Sequence, residues 1–353
     1  MQEGIEKVST SLARLRFPHP APRRVRPRIL PVFTPRAGCR ERCVFCAQES
    51  QSGQAVRSLN ETLAALREAL EAKSGGPPVE LAFYGGTFTA LAPGWLDRFL
   101  ETAAVYRARG VVSAVRCSTR PDALDADILE RLAAMGLDSV ELGVQSFDDA
   151  VLAAAGRGHS GRDVLEACRL IRDAGMGLTL QLLPGLPGLT PAVFREDVAA
   201  CVQAGPDAVR LHPCLVLAGT GLEALWREGR YEPWPLDVTV SELAFATLAL
   251  WDAGIAVTRV GLAPEPSLEE AILAGPRHQA LGTMVRARAL LSHIEERLAG
   301  RKALRLDVPQ CLSGEFWGHR GELEGAYARL GLARGAVAFT GDDHFTMDVT
   351  RHV

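Results

Sequence analysis

The sequence predicts an α/β fold: an open, partial (β/α)6 barrel, then a helical extension and a small C-terminal α+β unit. Three observations carry this expectation. From Arg28 to His212, short apolar runs alternate with amphipathic stretches of about ten or more residues, the pattern of βαβ units around a parallel sheet. Glycines at Gly110, Gly136, Gly175 and Gly205 follow periodic stretches and read as helix stops. Beyond His212 the alternation gives way to an irregular segment and a differently patterned tail.

Taken in order, the expected strands are Arg28–Phe33, Val79–Tyr84, Val115–Ser118, Ser139–Val144, Gly177–Leu182 and Ala208–His212. Between them the helical pattern falls on Leu59–Ala72, Trp95–Arg109, Asp125–Met135, Asp163–Asp173 and Pro191–Ala204. Six such units are too few to close an eightfold barrel, so the sheet is expected to stay open. Pro213–Pro235 reads as irregular apart from a short helix at Leu222–Gly229. Helices at Val238–Ala253 and Pro276–Ala299 flank a candidate strand, Ala256–Val260, and Arg301–Val353 reads strand, helix, strand, strand.

Composition narrows the class. The chain has 353 residues, 47% hydrophobic and 23% charged, with a net charge of −3; this is an ordinary globular balance and excludes a protein coated in positive charge. No apolar stretch reaches membrane-spanning length and Met1–Ser11 lacks a signal-peptide core, so no membrane partner and a cytoplasmic location are expected. Charge is uneven, however: nine arginines and one acid, Glu41, lie between Arg14 and Arg42. Such a stretch is either a solvated arm or a surface for a polyanion.

Of eight cysteines, three are packed into Gly38-Cys39-Arg40-Glu41-Arg42-Cys43-Val44-Phe45-Cys46, directly after the first strand. In a reducing compartment a tight cysteine group is a metal site rather than a disulfide framework. A zinc site would want a fourth Cys or His nearby, and the nearest histidine, His19, lies upstream in the arginine-rich stretch. Three thiolates at this spacing can hold three corners of a [4Fe–4S] cluster, leaving one iron open for chemistry. In parallel α/β folds, sites form at the carboxyl ends of strands, where this loop begins.

The spacing and placement of Cys39, Cys43 and Cys46 resemble those of the radical S-adenosylmethionine (SAM) superfamily, and the likeness extends over the central region. The resemblance implies a [4Fe–4S] cluster whose open iron chelates SAM, reductive cleavage to a 5′-deoxyadenosyl radical, hydrogen abstraction, and an electron donor such as flavodoxin or ferredoxin. It implies that Phe45 packs near the adenine. It also implies that Gly85 and Gly86, in Gly85-Gly86-Thr87-Phe88 after the second strand, present backbone to the methionine amino group. Ser118 would reach the bound SAM from the third strand. Alternation along the fourth strand places Glu141, Gly143 and Gln145 on one face. A buried Glu141 needs a partner, and Arg157 is the expected one. By resemblance, Arg157 pairs instead with the SAM carboxylate and Gln145 contacts the ribose. Gln181 and Leu183 open a Pro-Gly-Leu-Pro-Gly turn that lies against the adenine in that family.

Strands four and five resemble two branches, the oxygen-independent coproporphyrinogen oxidases and the core of the Elongator catalytic subunit. The former usually carry an acid where this chain has Gln181. The stretch from Leu211 to Tyr231 is similar to the Elongator-type core, and the likeness covers roughly Pro27 to Leu262. An Elongator-like enzyme without the acetyltransferase domain is therefore expected, divided as a basic N-terminal arm (1–27), a radical SAM core with its post-barrel extension (28–262), a helical segment (263–300) and a small α+β unit (301–353). RNA, with tRNA the candidate kind, is the leading substrate class. The basic stretch, a group formed by Arg277, His278, Arg286 and Arg288, and the G-x-x-G turn Gly318–Gly321, a pattern with which KH modules clamp nucleic-acid backbone, all bear on it. A small-molecule substrate and a non-catalytic, cluster-bearing RNA-binding or sensor protein are the rivals.

Overall fold

The structure is a computed structural model and describes residues 12–22, 28–53 and 57–350. Its strands in chain order are β1 (Leu12–Pro18), β2 (Ile29–Phe33), β3 (Val79–Tyr84), β4 (Val112–Thr119), β5 (Ser139–Gln145), β6 (Gly177–Leu182), β7 (Ala208–Leu211), β8 (Val216–Leu217), β9 (Ala256–Val260), β10 (Ile272–Ala274), β11 (Ala303–Pro309), β12 (Val337–Thr340) and β13 (His344–Thr350). The described residues separate into two compact units: one of residues 28–53, 57–243 and 255–279, the other of residues 12–22, 244–254 and 280–350.

The larger unit is built on a curled, all-parallel sheet in the order β2-β3-β4-β5-β6-β7-β9. The barrel is thus partial and open, with one strand more than expected. Ala256–Val260, read from sequence as a strand outside the barrel, pairs in parallel with β7, Ala208 opposite Ala256. Its crossover is the helix Leu236–Asp252, long enough to serve as one more βαβ connection.

Local signals set the helices. Ser58 and Glu61 form a capping box on Leu59–Glu71, as Ser160 and Asp163 do on Gly161–Asp173. Thr190 caps Pro191–Ala204, where proline at the first position loses no hydrogen bond. The helix Asp149–Ala154, capped by Asp148, lies in a stretch that carried no helix in the sequence reading; at six residues it is too short to display a period.

The smaller unit is a four-stranded sheet, β1-β13-β11-β12, over the helix Leu281–Leu298. β1 comes from the stretch expected to be an arm: Leu12 to Pro18 pair antiparallel with Thr350 to His344. Arg14 reaches Asp348 at 2.7 Å and Arg16 reaches Asp342 at 3.0 Å, so both charges are matched within the fold. Arg23, Arg24 and Arg26 lie outside the described residues. Phe17, Phe316, Tyr327, Phe345 and Met347 form the core together with Leu290 and Ile294.

Candidate functional site

The carboxyl ends of the barrel strands surround a cavity of about 540 Å³. Cys39, Cys43, Phe45, Cys46, Gly85, Gly86, Ser118, Glu141, Gln145, Arg157, Gln181 and Leu183 all line it. Thr87 stands just behind, buried, with its hydroxyl 3.4 Å from the Cys39 sulfur. Residues up to 144 positions apart in sequence are therefore brought to one chamber by the parallel sheet.

Backbone contacts on three sides hold the cysteine loop in place. Thr87 N–H donates to Ala37 O at 2.7 Å, Val44 N–H to Ala155 O at 3.1 Å, and Leu222 N–H to Val44 O at 2.7 Å. Gln48 adds a fourth tie: its Oε1 accepts from the backbone N–H groups of Arg36, at 2.5 Å, and Gly86, at 3.0 Å. Gly86 has φ +62°, and a Cβ there would run into the carbonyl of Ala37. Glycine at this position thus serves the packing of the strand end against the cysteine loop, in addition to any approach of a ligand.

The three cysteine sulfurs do not all lie within 4.8 Å of one another. Among the described residues, the group of His, Cys, Asp and Glu ligand atoms that lie within 4.8 Å of one another is Asp342, Asp343 and His344, and the cysteines are not part of it. A zinc ion with bonds of about 2.3 Å to sulfur would need them closer than that. The three cysteines line one cavity, and a multi-iron cluster bridges a wider gap than a single zinc ion does. Burial, followed by the neighbouring Cys43 and Cys39, pushes the Cys46 thiol up to about 11, so a metal would have to displace its proton. Arg157 reaches the loop from the other side, its Nη1 donating to Cys43 Sγ at 3.3 Å.

The expected pairing of Glu141 with Arg157 is not what forms. Glu141 accepts from Arg210 Nη1 at 2.6 Å, from β7, two strands away. Arg157 is turned toward Cys43 and the Gly143 carbonyl. The reason is topological: Arg157 follows the helix after Gln145, while Arg210 projects from the barrel wall into the same interior as Glu141. Ser118 Oγ approaches Glu141 Oε1 at 3.4 Å, and Glu141 Oε2 is buried without a partner among the described residues. Gln145 has φ +73°, a strained conformation for a residue with a side chain. Its carbonyl accepts from Leu183 N–H at 2.9 Å and its side chain from Gln181 at 3.3 Å.

Several lining residues were missed by the sequence reading. Arg120 is buried, gripping Asp122 with two bonds of 2.8 Å, and its Nη1 has no partner among the described residues. Tyr84, Arg210, His212 and Arg259 form the far wall. Burial, then the charges of Arg210 and Arg259, hold His212 well below the usual imidazole range, and its Nε2 is unpartnered. Arginines at alternate positions of expected strands were the available signal. The lining holds Arg36, Arg40, Arg42, Arg120, Arg157, Arg210 and Arg259 against Glu41 and Glu141, a strongly cationic chamber suited to a cluster ligated by thiolates and to anionic ligands. Outside it, Arg277 pairs with Glu269 and Arg286 with Glu315. In the Gly318–Gly321 turn, His319 N–H already donates to Glu322 Oε1 at 3.2 Å, which sets a carboxylate where a phosphate would go.

A family model for the radical SAM superfamily matches residues 34–201, and one for the radical SAM C-terminal domain matches residues 206–291; together they span most of the chain. The chain belongs to the radical SAM superfamily. It is an enzyme of that superfamily, and the superfamily's cofactors are a [4Fe–4S] cluster and SAM. Among curated relatives, the radical SAM region is 31% identical over 270 residues to a tRNA uridine(34) acetyltransferase of Dehalococcoides mccartyi, covering 65% of this chain and 57% of that one. It is 32% identical over 207 residues to Elongator complex protein 3 of Homo sapiens, covering 52% and 37%. The chain thus spans less than two thirds of the length of these relatives. The structure of the archaeal Methanocaldococcus infernus Elp3 shares the fold, with a TM-score of 0.59 at 22% identity over 76% of this chain and 63% of that one. Among the described residues no helix is long and apolar enough to cross a membrane.

Proposed function

We propose that this chain is an Elongator-like radical SAM enzyme that modifies RNA, with tRNA the favoured class, and that its chemistry resides in the core of residues 28–262. The observation that supports this best is the cysteine loop: three thiols lining an arginine-rich chamber at the carboxyl ends of a parallel half-barrel. When bound, the cluster and SAM supply reductive carbon–sulfur cleavage and a 5′-deoxyadenosyl radical for hydrogen abstraction.

The remaining roles belong to the chain. Cys39, Cys43 and Cys46 would ligate three irons, and Arg157, which donates to Cys43 Sγ, would offer its remaining N–H groups to the SAM carboxylate. Gly85, Gly86 and Thr87 form the shelf for the methionyl end. Ser118, Gln145 and Gln181 face the ribose, and Phe45 with the backbone at Leu183 flanks the adenine. Glu141 holds Arg210 in the wall. A reducing cytoplasm with flavodoxin or ferredoxin as electron donor suits the reduced thiols and the redox step. The relatives named for tRNA uridine modification and the excess of arginine around the chamber support RNA as substrate.

Anaerobic reconstitution with iron, sulfide, dithionite and SAM tests this reading. Formation of 5′-deoxyadenosine, stimulated by bulk tRNA and lost after RNase treatment, is the expected result. A cluster that forms without yielding 5′-deoxyadenosine would favour the non-catalytic sensor, and cleavage stimulated by a metabolite extract but insensitive to RNase would favour a small molecule.

A further inference from the structure

Arg210 on β7 and Arg259 on β9 are direct neighbours in the register of the sheet, and both line the chamber. Like charges placed side by side on adjacent strands destabilise a sheet. Arg210 is compensated by Glu141 at 2.6 Å and lies at 5.4 Å over the Tyr84 ring. Arg259 has neither a hydrogen bond nor an ion pair among the described residues. Next to them His212 follows β7, its Nε2 buried and without a partner among the described residues. Two guanidiniums, one carboxylate and one orphaned ring nitrogen leave an uncompensated positive charge and unused donors in a partly desolvated wall.

Such a group is completed by an anion. The geometry points to an oxyanion seat, Arg259 with Arg210 and His212, that holds a phosphate of the substrate on the β7–β9 wall, apart from the cysteine loop on β2. Adjacent guanidinium forks carry more donors than the two oxygens of a carboxylate can accept, and suit the larger oxygen set of a phosphate. This assignment rests on the RNA reading for the source of the phosphate, a backbone group beside the target nucleotide. The seat would fix the position of the nucleotide so that the hydrogen to be abstracted faces SAM.

The test is calorimetric titration of the anaerobically reconstituted full-length protein with inorganic phosphate, then with acetate. The expected result is saturable phosphate binding, tighter than acetate, that Arg259→Gln weakens about tenfold or more, the loss of one charge-assisted fork. Arg259→Lys keeps the charge without the fork and should lie between the two, which separates the seat from a folding defect. Arg305→Gln, on the surface of the smaller unit, should bind as the parent does. Unsaturable binding, acetate preferred over phosphate, or an Arg259→Gln curve that overlays the parent would overturn the seat. Weakened SAM binding by Arg259→Gln in the same protein would assign the anion to SAM itself and overturn it equally. RNase-insensitive turnover with phosphate binding intact would instead remove the RNA reading and leave the seat standing for a phosphorylated small molecule.

Discussion

The two compact units keep opposite kinds of interior. In the barrel, charged and polar side chains point inward: Glu80 pairs with Arg116 at 3.1 Å, Arg210 with Glu141, and His212 is buried without a partner at Nε2. In the smaller unit the interior is aromatic and aliphatic apart from the buried His293. Phe316 stacks on Tyr327 with centroids 4.3 Å apart, and Phe17 on Phe345 at 5.2 Å. A buried ion pair is a poor source of stability, because desolvation offsets most of its Coulomb gain. Rings and aliphatics buried together are a good one. The barrel therefore sets its interior aside for ligands, and its stability comes from the apolar layer between sheet and helices, where Phe83, Phe88 and Phe99 pack at 4.5 and 5.4 Å.

Substitutions can break this contrast. The largest effect should come from Cys43→Ala, which removes one cluster ligand; brown cluster absorption and 5′-deoxyadenosine formation should both be lost, read by spectroscopy and product assay, with the thermal melt of the metal-free chain little changed. Glu141→Gln should destabilise by about 3–5 kcal/mol, since Arg210 loses the partner of its buried charge. Combining Glu141→Leu with Arg210→Met should recover most of that stability in a urea titration and yet leave no turnover. A double variant that stays as unstable as Glu141→Gln would show that the pair is structural after all.

Phe316→Ala should cost about 3–5 kcal/mol of cavity and contact energy, comparable in size but different in kind. Amide exchange in β11 should rise while the purified protein still takes up its cluster. Loss of cluster uptake at full folding would contradict the division of labour.

The smallest effect is the pH dependence carried by His293. Burial, then the charge of Arg297, pushes it down to about 4, and neither ring nitrogen has a hydrogen-bond partner. The unfolded chain protonates near 6.5, so the folded state binds fewer protons between these values. Its contribution is fully present above pH 6.5 and is lost as pH falls toward 4, by an amount on the order of 2–3 kcal/mol. Thermal melts across that range should show a flatter slope in His293→Leu; an unchanged slope would place the acid sensitivity elsewhere.

Much of the scaffold was legible. Val79–Tyr84, Gly177–Leu182 and Pro191–Ala204 fall where periodicity and caps put them, because both signals act within a few residues. The cysteine spacing and the Gly85-Gly86 strand end were legible for the same reason. The seventh barrel strand, Ala256–Val260, was read as a strand but not as part of the sheet. Its apolar pattern says nothing about its neighbour. Arg210 and Arg259 escaped notice, since arginine in a strand is ordinary until its side of the sheet is known.

By itself, then, the sequence determined the local chemistry: a cysteine loop spaced for a cluster, glycine turns at strand ends, and alternating strands and helices that make a parallel sheet. Only the tertiary structure decided which distant groups meet. It gave Glu141 to Arg210 rather than Arg157, turned Arg157 to Cys43, and took Leu12–Pro18 out of the expected arm to pair with β13, with Arg14 and Asp348 334 positions apart. Caps, turns and periodicity depend on neighbours in the chain, while these pairings depend on strand order and register, which no local stretch encodes alone.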